Sequence, residues 1–378
     1  MNAAAVPNEA APVSNDRLRA TRVRSWAQRL RVLALSTAYV CGAMSASLAH
    51  ADTAAPLPAY GADLQRTSVS GLSSGAFMAA QFDVAYSSRL IGAGIVAGGA
   101  FRCALESSLV APAAAAVTLC MQPLGAAPDA TTSWKDAQVL AKTGDIDDLA
   151  NLRRQRIYLF NGAQDKVVST RVVDEARHFY DLAGVPKANV SYRKDPNAGH
   201  ALITNHPIDA ACGANAMPYI NNCGFDQADD ILTWIYAAPG TKLNPPAVQA
   251  SGTLLAFDQR EFDRDRRASL ADTGYVYLPA ACASAACAVH VVFHGCEQGA
   301  SFVGERFVRG AGYNETADTN RVIVLYPQVD KSVANPIGCW DFWGYTSADA
   351  NIPDFYAHDA PQMVAVKQMI DRLGQPRP

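Results

Sequence analysis

No uninterrupted apolar run in this chain approaches the ~18 residues that a membrane-spanning helix needs. No CxxC or HExxH spacing occurs, so a metal centre lacks its usual ligand pattern, and none is expected. Beyond the first 51 residues no basic patch is present to neutralise phosphates, and the formal net charge of the whole chain is −3, which argues against nucleic acid as a partner. Neither an internal repeat nor a low-complexity block interrupts the sequence. What remains is a chain of 378 residues with 49% apolar content, enough for one large α/β domain or two smaller ones.

The first 51 residues read as a targeting segment rather than as part of the fold. Arg17, Arg19, Arg22, Arg24, Arg29 and Arg31 precede an apolar stretch from Val32 to Met44, and Ala49-His50-Ala51 supplies small residues for a signal peptidase. Cleavage is expected before Asp52. A membrane anchor is the competing reading, but the stretch is too short to span a bilayer. Removing residues 1–51 takes away six arginines, Glu9 and Asp16, so the net charge falls from −3 to −7. Of nine cysteines, Cys41 leaves with the leader and eight remain, an even number that suits an oxidising compartment. Connectivity stays open. Neighbours in sequence suggest Cys103–Cys120, Cys212–Cys223, Cys282–Cys287 and Cys296–Cys339.

Along the chain, 67–70 reads as a strand and 74–86 as a helix. The run LIGAGIVA over 90–97 reads as a strand buried on both faces. Residues 100–130 form an irregular excursion with two cysteines. Strands follow at 156–160 and 190–193, around a helix marked by Val172, Val173, Ala176, Phe179, Tyr180 and Ala183 with Gly184 as its stop. A helix covers 226–236, and the Pro-rich 237–251 reads as a surface linker. Further strands are expected at 253–258, 273–278, 288–293 and 321–326, and an amphipathic helix at about 359–373.

Serine needs a base within hydrogen-bond reach and a sharp strand-to-helix turn to lift it clear of a sheet. Gly71-Leu72-Ser73-Ser74-Gly75 fits that turn, with Ser73 as nucleophile and Ser74 as the alternative in a shifted register. A Gly/Ser turn at a helix start is the plain structural reading. Asp165, in the loop after 156–160, is placed as the acid, with Asp195 and Asp209 as rivals. His200, in Asn197-Ala198-Gly199-His200-Ala201, is the base; His178 and His206 read as surface or packing residues. The order Ser, Asp, His is that of α/β-hydrolases. The amides of Ser74 and Cys296 are the expected oxyanion donors. Yet His294-Gly295-Cys296 lies more than two hundred residues after Ser73, whereas an α/β-hydrolase places this turn before the nucleophile. Reading 252–378 before 66–236 restores the usual order, so a circular permutation is inferred, with one catalytic domain over 52–378. Trp340, Phe342, Trp343 and Tyr345 crowd one loop, either as a plug over the core or as a wall for an apolar acyl chain. Trp340 and Trp343 are the candidate substrate contacts.

Three segments, Gly71-Leu72-Ser73-Ser74-Gly75-Ala76-Phe77, His294-Gly295-Cys296-Glu297-Gln298 and Gly338-Cys339-Trp340-Asp341, are together similar to motifs of the poly(3-hydroxybutyrate) depolymerases of permuted type. The resemblance runs over about 66–373. It implies an α/β-hydrolase fold with a mostly parallel sheet and helices on both faces. It also implies cofactor-free hydrolysis of polyester or hydroxyacyl-oligomer bonds, with Ser73, Asp165, His200 and Cys296 in the roles given above. A secreted monomer without a separate substrate-binding domain is expected. The alternatives are a secreted feruloyl or acetylxylan esterase, and a catalytically silent polyester-binding protein.

Overall fold

The structure is a computed structural model, and it describes residues 54–377. The expected signal peptide, residues 1–51, lies outside the described residues. The first half of the described chain supplies strands β1 (Thr67–Leu72), β2 (Leu90–Val96), β3 (Arg156–Gly162) and β4 (Val190–Asp195). Three short strands follow, β5 (Leu202–Thr204), β6 (Ala210–Ala211) and β7 (Ile220–Asn222), and make a separate small sheet in the order β5-β7-β6. The second half supplies β8 (Thr253–Asp258), β9 (Thr273–Leu278), β10 (Ala288–Phe293) and β11 (Val322–Tyr326).

Both halves build one eight-stranded sheet, ordered β4-β3-β2-β1-β10-β11-β9-β8. The six strands from β4 to β11 are parallel, and β9 runs antiparallel to both β11 and β8. The apolar runs of the sequence fall in the middle: every residue of β1, β10 and β11 is buried, as parallel strands covered on both faces require. The edge strands β4 and β8 are mostly half-buried or exposed.

Nine α-helices among the described residues accompany this sheet. In chain order they are α1 (Ser74–Ala85), α2 (Pro112–Thr118), α3 (Ala130–Thr143), α4 (Thr170–Leu182), α5 (Gln227–Tyr236), α6 (Ala300–Val303), α7 (Arg306–Gly310), α8 (Tyr313–Asn320) and α9 (Pro361–Gly374). The apolar stripes expected for α4 and α9 are the buried faces of those helices. α3 breaks into the segment read as irregular or unassigned. Its apolar stripe is weak, with only Ala130, Ser133 and Ala137 buried, but its ends carry clear signals. The Asp129 side chain accepts from the Thr131 amide, and Gly144 closes the helix at φ 85°. No described helix is long and apolar enough to cross a membrane.

The chain order is that of an α/β-hydrolase fold cut and rejoined. β10, which leads into His294-Gly295-Cys296, lies directly beside β1, which leads into Ser73; Gly71 pairs with Phe293. The segment ahead of β1 runs against the end of α9. The Tyr60 and Ala62 amides donate to the Leu373 carbonyl at 3.1 and 3.0 Å, and the Gly61 amide to Gln375 at 2.8 Å. Residues 237–251, free of helix and strand, join α5 to β8, as a linker between former ends would.

Candidate active site

At the end of β1 the backbone turns so sharply that Ser73 takes φ 58°, ψ −123°, a conformation unusual for any residue with a side chain. Its amide donates to the Val96 carbonyl at 3.0 Å, and its carbonyl accepts from Ala76 and Phe77 at the start of α1. The flanking glycines are sterically required. A Cβ on Gly71 would lie 2.2 Å from the Gly75 oxygen, and one on Gly75 would lie 2.2 Å from the Phe293 oxygen. Ser73 therefore sits at a strained elbow wedged against β10. The shifted register fails on geometry: the Ser74 hydroxyl points inward and accepts from the Trp340 amide at 3.3 Å.

Asp165 follows β3. One carboxylate oxygen accepts from the Val167 and Val168 amides, each at 2.8 Å, and the other lies 2.8 Å from His200 Nδ1. The His loop approaches the acid loop at backbone contact distance, because a Cβ on Gly162 would stand 2.1 Å from the Ala198 oxygen. Asn215 ties the two loops together. Its side-chain oxygen accepts from the amides of Lys166 at 2.9 Å and His200 at 3.0 Å, while its amide group donates to Gln164 and Gly213. The rival acids have other partners. Asp195 accepts from Asn197 and Ala198 and so shapes the His loop, and Asp209 bonds Thr204 and Arg306. His178 lies beside Glu175 at the surface, and His206 is exposed.

Ser73, His200 and Cys296 line one cleft of about 420 Å³. The Ser73 hydroxyl makes no hydrogen bond to another described residue; such contacts often tighten only around a substrate. As the first residue of α1, Ser74 has an amide without an intrahelical acceptor. The Cys296 amide likewise has no partner among the described residues, while its neighbours are tied down: Gly295 donates to the Gln298 side chain at 2.8 Å and Glu297 to the Ile337 carbonyl at 2.8 Å. His294 is scaffold. Its Nε2 accepts from the Val329 amide, so Nδ1 carries the proton and donates to the Gly295 carbonyl at 2.8 Å. Burial pulls its pKa down to about 4, so it holds the turn as a neutral ring.

The two tryptophans separate. Trp343 lines the cleft, whereas Trp340 is 0% exposed and packs edge-on against Phe293 at 4.9 Å, away from the cleft wall. Of the two candidate substrate contacts, Trp340 is therefore packed in the core and does not reach the cleft, and only Trp343 lines it. The loop between them is wound around the buried Asp341 carboxylate, which accepts from the amides of Trp343, Gly344, Tyr345 and Thr346. Sequence reading missed the wall that α2 and its neighbours supply through Ala113, Ala116, Val117 and Met121, because that segment showed no clear period. It also missed Tyr219 and Gln298. Tyr219 stands edge-on to the His200 ring at 5.9 Å, and the Gln298 side chain donates to the Pro218 and Tyr219 carbonyls. Ser73, Tyr219 and Glu297, three of the non-glycine residues held at positive φ, all line this cleft. All four suggested disulfides are formed, and Cys296–Cys339 fastens the His294-Gly295-Cys296 turn to the aromatic loop. Among the described residues no cluster could hold a metal ion.

No protein-family model matches the chain. Among curated proteins, a poly(3-hydroxybutyrate) depolymerase of Delftia acidovorans is 41% identical over 322 residues, covering 84% of this chain and 61% of that protein. A polyhydroxybutyrate depolymerase of Talaromyces funiculosus is 36% identical over 319 residues, covering 79% of this chain and 88% of that one. Thus the chain spans under two thirds of the Delftia relative's length but most of the Talaromyces one. Among solved structures, the PHB depolymerase from Penicillium funiculosum and a serine-to-alanine PHB depolymerase complexed with an R3HB trimer each match with TM-score 0.75 at 32% identity. Each match covers 84% of this chain and 98% of the other. With the elbow, the acid-paired histidine and the permuted sheet already in place, these likenesses settle its kinship: the chain belongs to the poly(3-hydroxybutyrate) depolymerase family.

Proposed function

We propose that this chain is an exported serine esterase that hydrolyses poly(3-hydroxybutyrate) or its oligomers, with Ser73 as nucleophile, His200 as base and Asp165 as orienting acid. The observation that carries the reading is the His200–Asp165 contact of 2.8 Å in the cleft that also holds the strained Ser73. Asp165 holds the proton on Nδ1, leaving Nε2 free to take the Ser73 proton as Oγ attacks the ester carbonyl. The Ser74 and Cys296 amides receive the charge that develops on the carbonyl oxygen. Collapse expels the alcohol end of the chain with the proton from His200 and leaves an acyl-serine. Water, activated by the same ring, then releases the carboxylic acid and restores Ser73. No step requires a cofactor.

The largely apolar cleft, with Trp343, Phe342 and Met121 in its lining, supports a hydroxyacyl substrate over a sugar ester, which calls for polar contacts. Four disulfides support export to an oxidising compartment, together with cleavage before Asp52. A single catalytic domain over 52–378 fits a sheet that draws strands from both halves of the sequence. The test is release of 3-hydroxybutyrate from amorphous polymer and soluble oligomers, beside feruloyl and acetyl esters. Turnover of the hydroxybutyrate substrates is expected to dominate. Preference for the aromatic or acetyl esters would reject the polyester reading and retain the esterase.

A further inference from the structure

The cleft contains a charge that the hydrolytic cycle does not use. Glu297 follows the oxyanion residue Cys296, and its backbone is held at φ 55° with its amide bonded to Ile337 at 2.8 Å. Its carboxylate accepts from the Tyr219 hydroxyl at 2.9 Å, and the Tyr219 ring stands edge-on to His200. The carboxylate thus bridges from the oxyanion side of the cleft toward the histidine side. It is the only carboxylate among the described residues lining the cleft, and no lysine or arginine lines it. Tyr219 does not neutralise it: burial, and then the bond to Glu297, push the phenol up to about 12, so it remains a neutral donor.

We propose that Glu297 is a specificity-determining charge filter: it repels a free carboxylate near Ser73 and so selects ester-linked or capped units over the acid end of a chain. The inference rests on the ester-hydrolase reading above. No lysine or arginine lines the cleft to offset Glu297, so one carboxylate there repels another, and salt entering from solvent weakens that repulsion. Every turnover creates a carboxylate at Ser73, so the same repulsion hastens loss of the acid product. A hydroxyl end or an internal ester carries no charge and is not penalised.

The test uses 4-nitrophenyl butyrate as reporter, with the hydroxybutyrate dimer as competitor, both as free acid and as methyl ester, at low ionic strength. For the wild type, the methyl ester is expected to inhibit at least about tenfold more strongly than the acid, a Coulomb effect at short range. In Glu297→Gln, whose amide oxygen still accepts from Tyr219, that ratio should fall by about tenfold. Salt at about 0.5 M should narrow the wild-type ratio and leave that of the variant in place. A ratio equal in the two proteins, or a wild-type ratio indifferent to salt, would overturn the filter. The salt series needs no variant to fold, and melting curves check the variant. Because the reporter requires only a serine esterase, failure on polyester would defeat the substrate reading without altering what the ratio says of Glu297.

Discussion

Strand β1 and the turn that ends it carry two serine–histidine constellations, and only one of them opens onto a cleft. Midway along the strand, Ser68 and Ser70 hold the two nitrogens of His290 at 2.7 and 2.8 Å, between the hydroxyls of Tyr236 and Tyr313. At its end, Ser73 shares a cleft with His200 and makes no such bond. By contact distance alone the buried group is the better serine–histidine pair. It has no carboxylate on the ring, no open cleft and no strained turn; all three of its members on β1 and β10 are 0% exposed. Burial lowers the His290 pKa to about 3, so the ring cannot serve as a base that becomes cationic at neutral pH. What separates the two serines is access to a cleft, a carboxylate on the neighbouring histidine and backbone amides left without partners.

The largest contrast is between the serines. Ser73→Ala should lower ester hydrolysis by about 10⁴-fold or more while the protein stays folded, since the attacking atom is lost and no large cavity forms. Ser70→Ala should keep its activity and lose about 1–3 kcal/mol of stability, because it leaves a buried ring nitrogen unpaired. Steady-state rates with denaturant titration check both. Next come the acids. Asp165→Asn should cost about 10³- to 10⁴-fold in kcat by releasing the ring tautomer, whereas Asp195→Asn can still accept from Asn197 and Ala198 and should remain active. Reversed outcomes in the same assay would move the acid.

The aromatic loop sharpens the division between cleft and core. Trp343→Ala should reduce kcat/KM for a hydroxybutyrate trimer by roughly 5- to 150-fold, the worth of one apolar contact, and spare a short nitrophenyl ester. Trp340→Ala should instead cost about 3–5 kcal/mol of stability and treat both substrates alike. The packed histidine of β10 also sets a pH dependence. His290 has a folded pKa well below its unfolded value of about 6.5, so the buried neutral ring contributes its stability in full above that value. The contribution is lost progressively as pH falls from about 6.5 toward about 3. Urea midpoints of His290→Gln should therefore decline less steeply than wild type across that window.

The local parts of the candidate site were legible in sequence: Gly-x-Ser-x-Gly marks the turn after β1, and Asp165 follows an apolar strand. The permutation was legible too, since only the order of His294-Gly295-Cys296 and Ser73 had to be compared. Facing was not. Trp340 and Trp343 stand three residues apart in one aromatic loop, and which of them meets the cleft depends on how Asp341 winds that loop. The strands β5 to β7 are two or three residues long, too short for alternation to register. Tyr219 and Glu297 meet across 78 positions of sequence, which no local pattern announces.

Covalent labelling tests the central assignment most directly. The mature protein, treated with diisopropyl fluorophosphate until hydrolysis stops, is digested and mapped by mass spectrometry. A single phosphoryl adduct on Ser73 is predicted, with Ser68, Ser70 and Ser74 unmodified. Full inactivation with the adduct on any other serine, or with none on Ser73, would contradict the account.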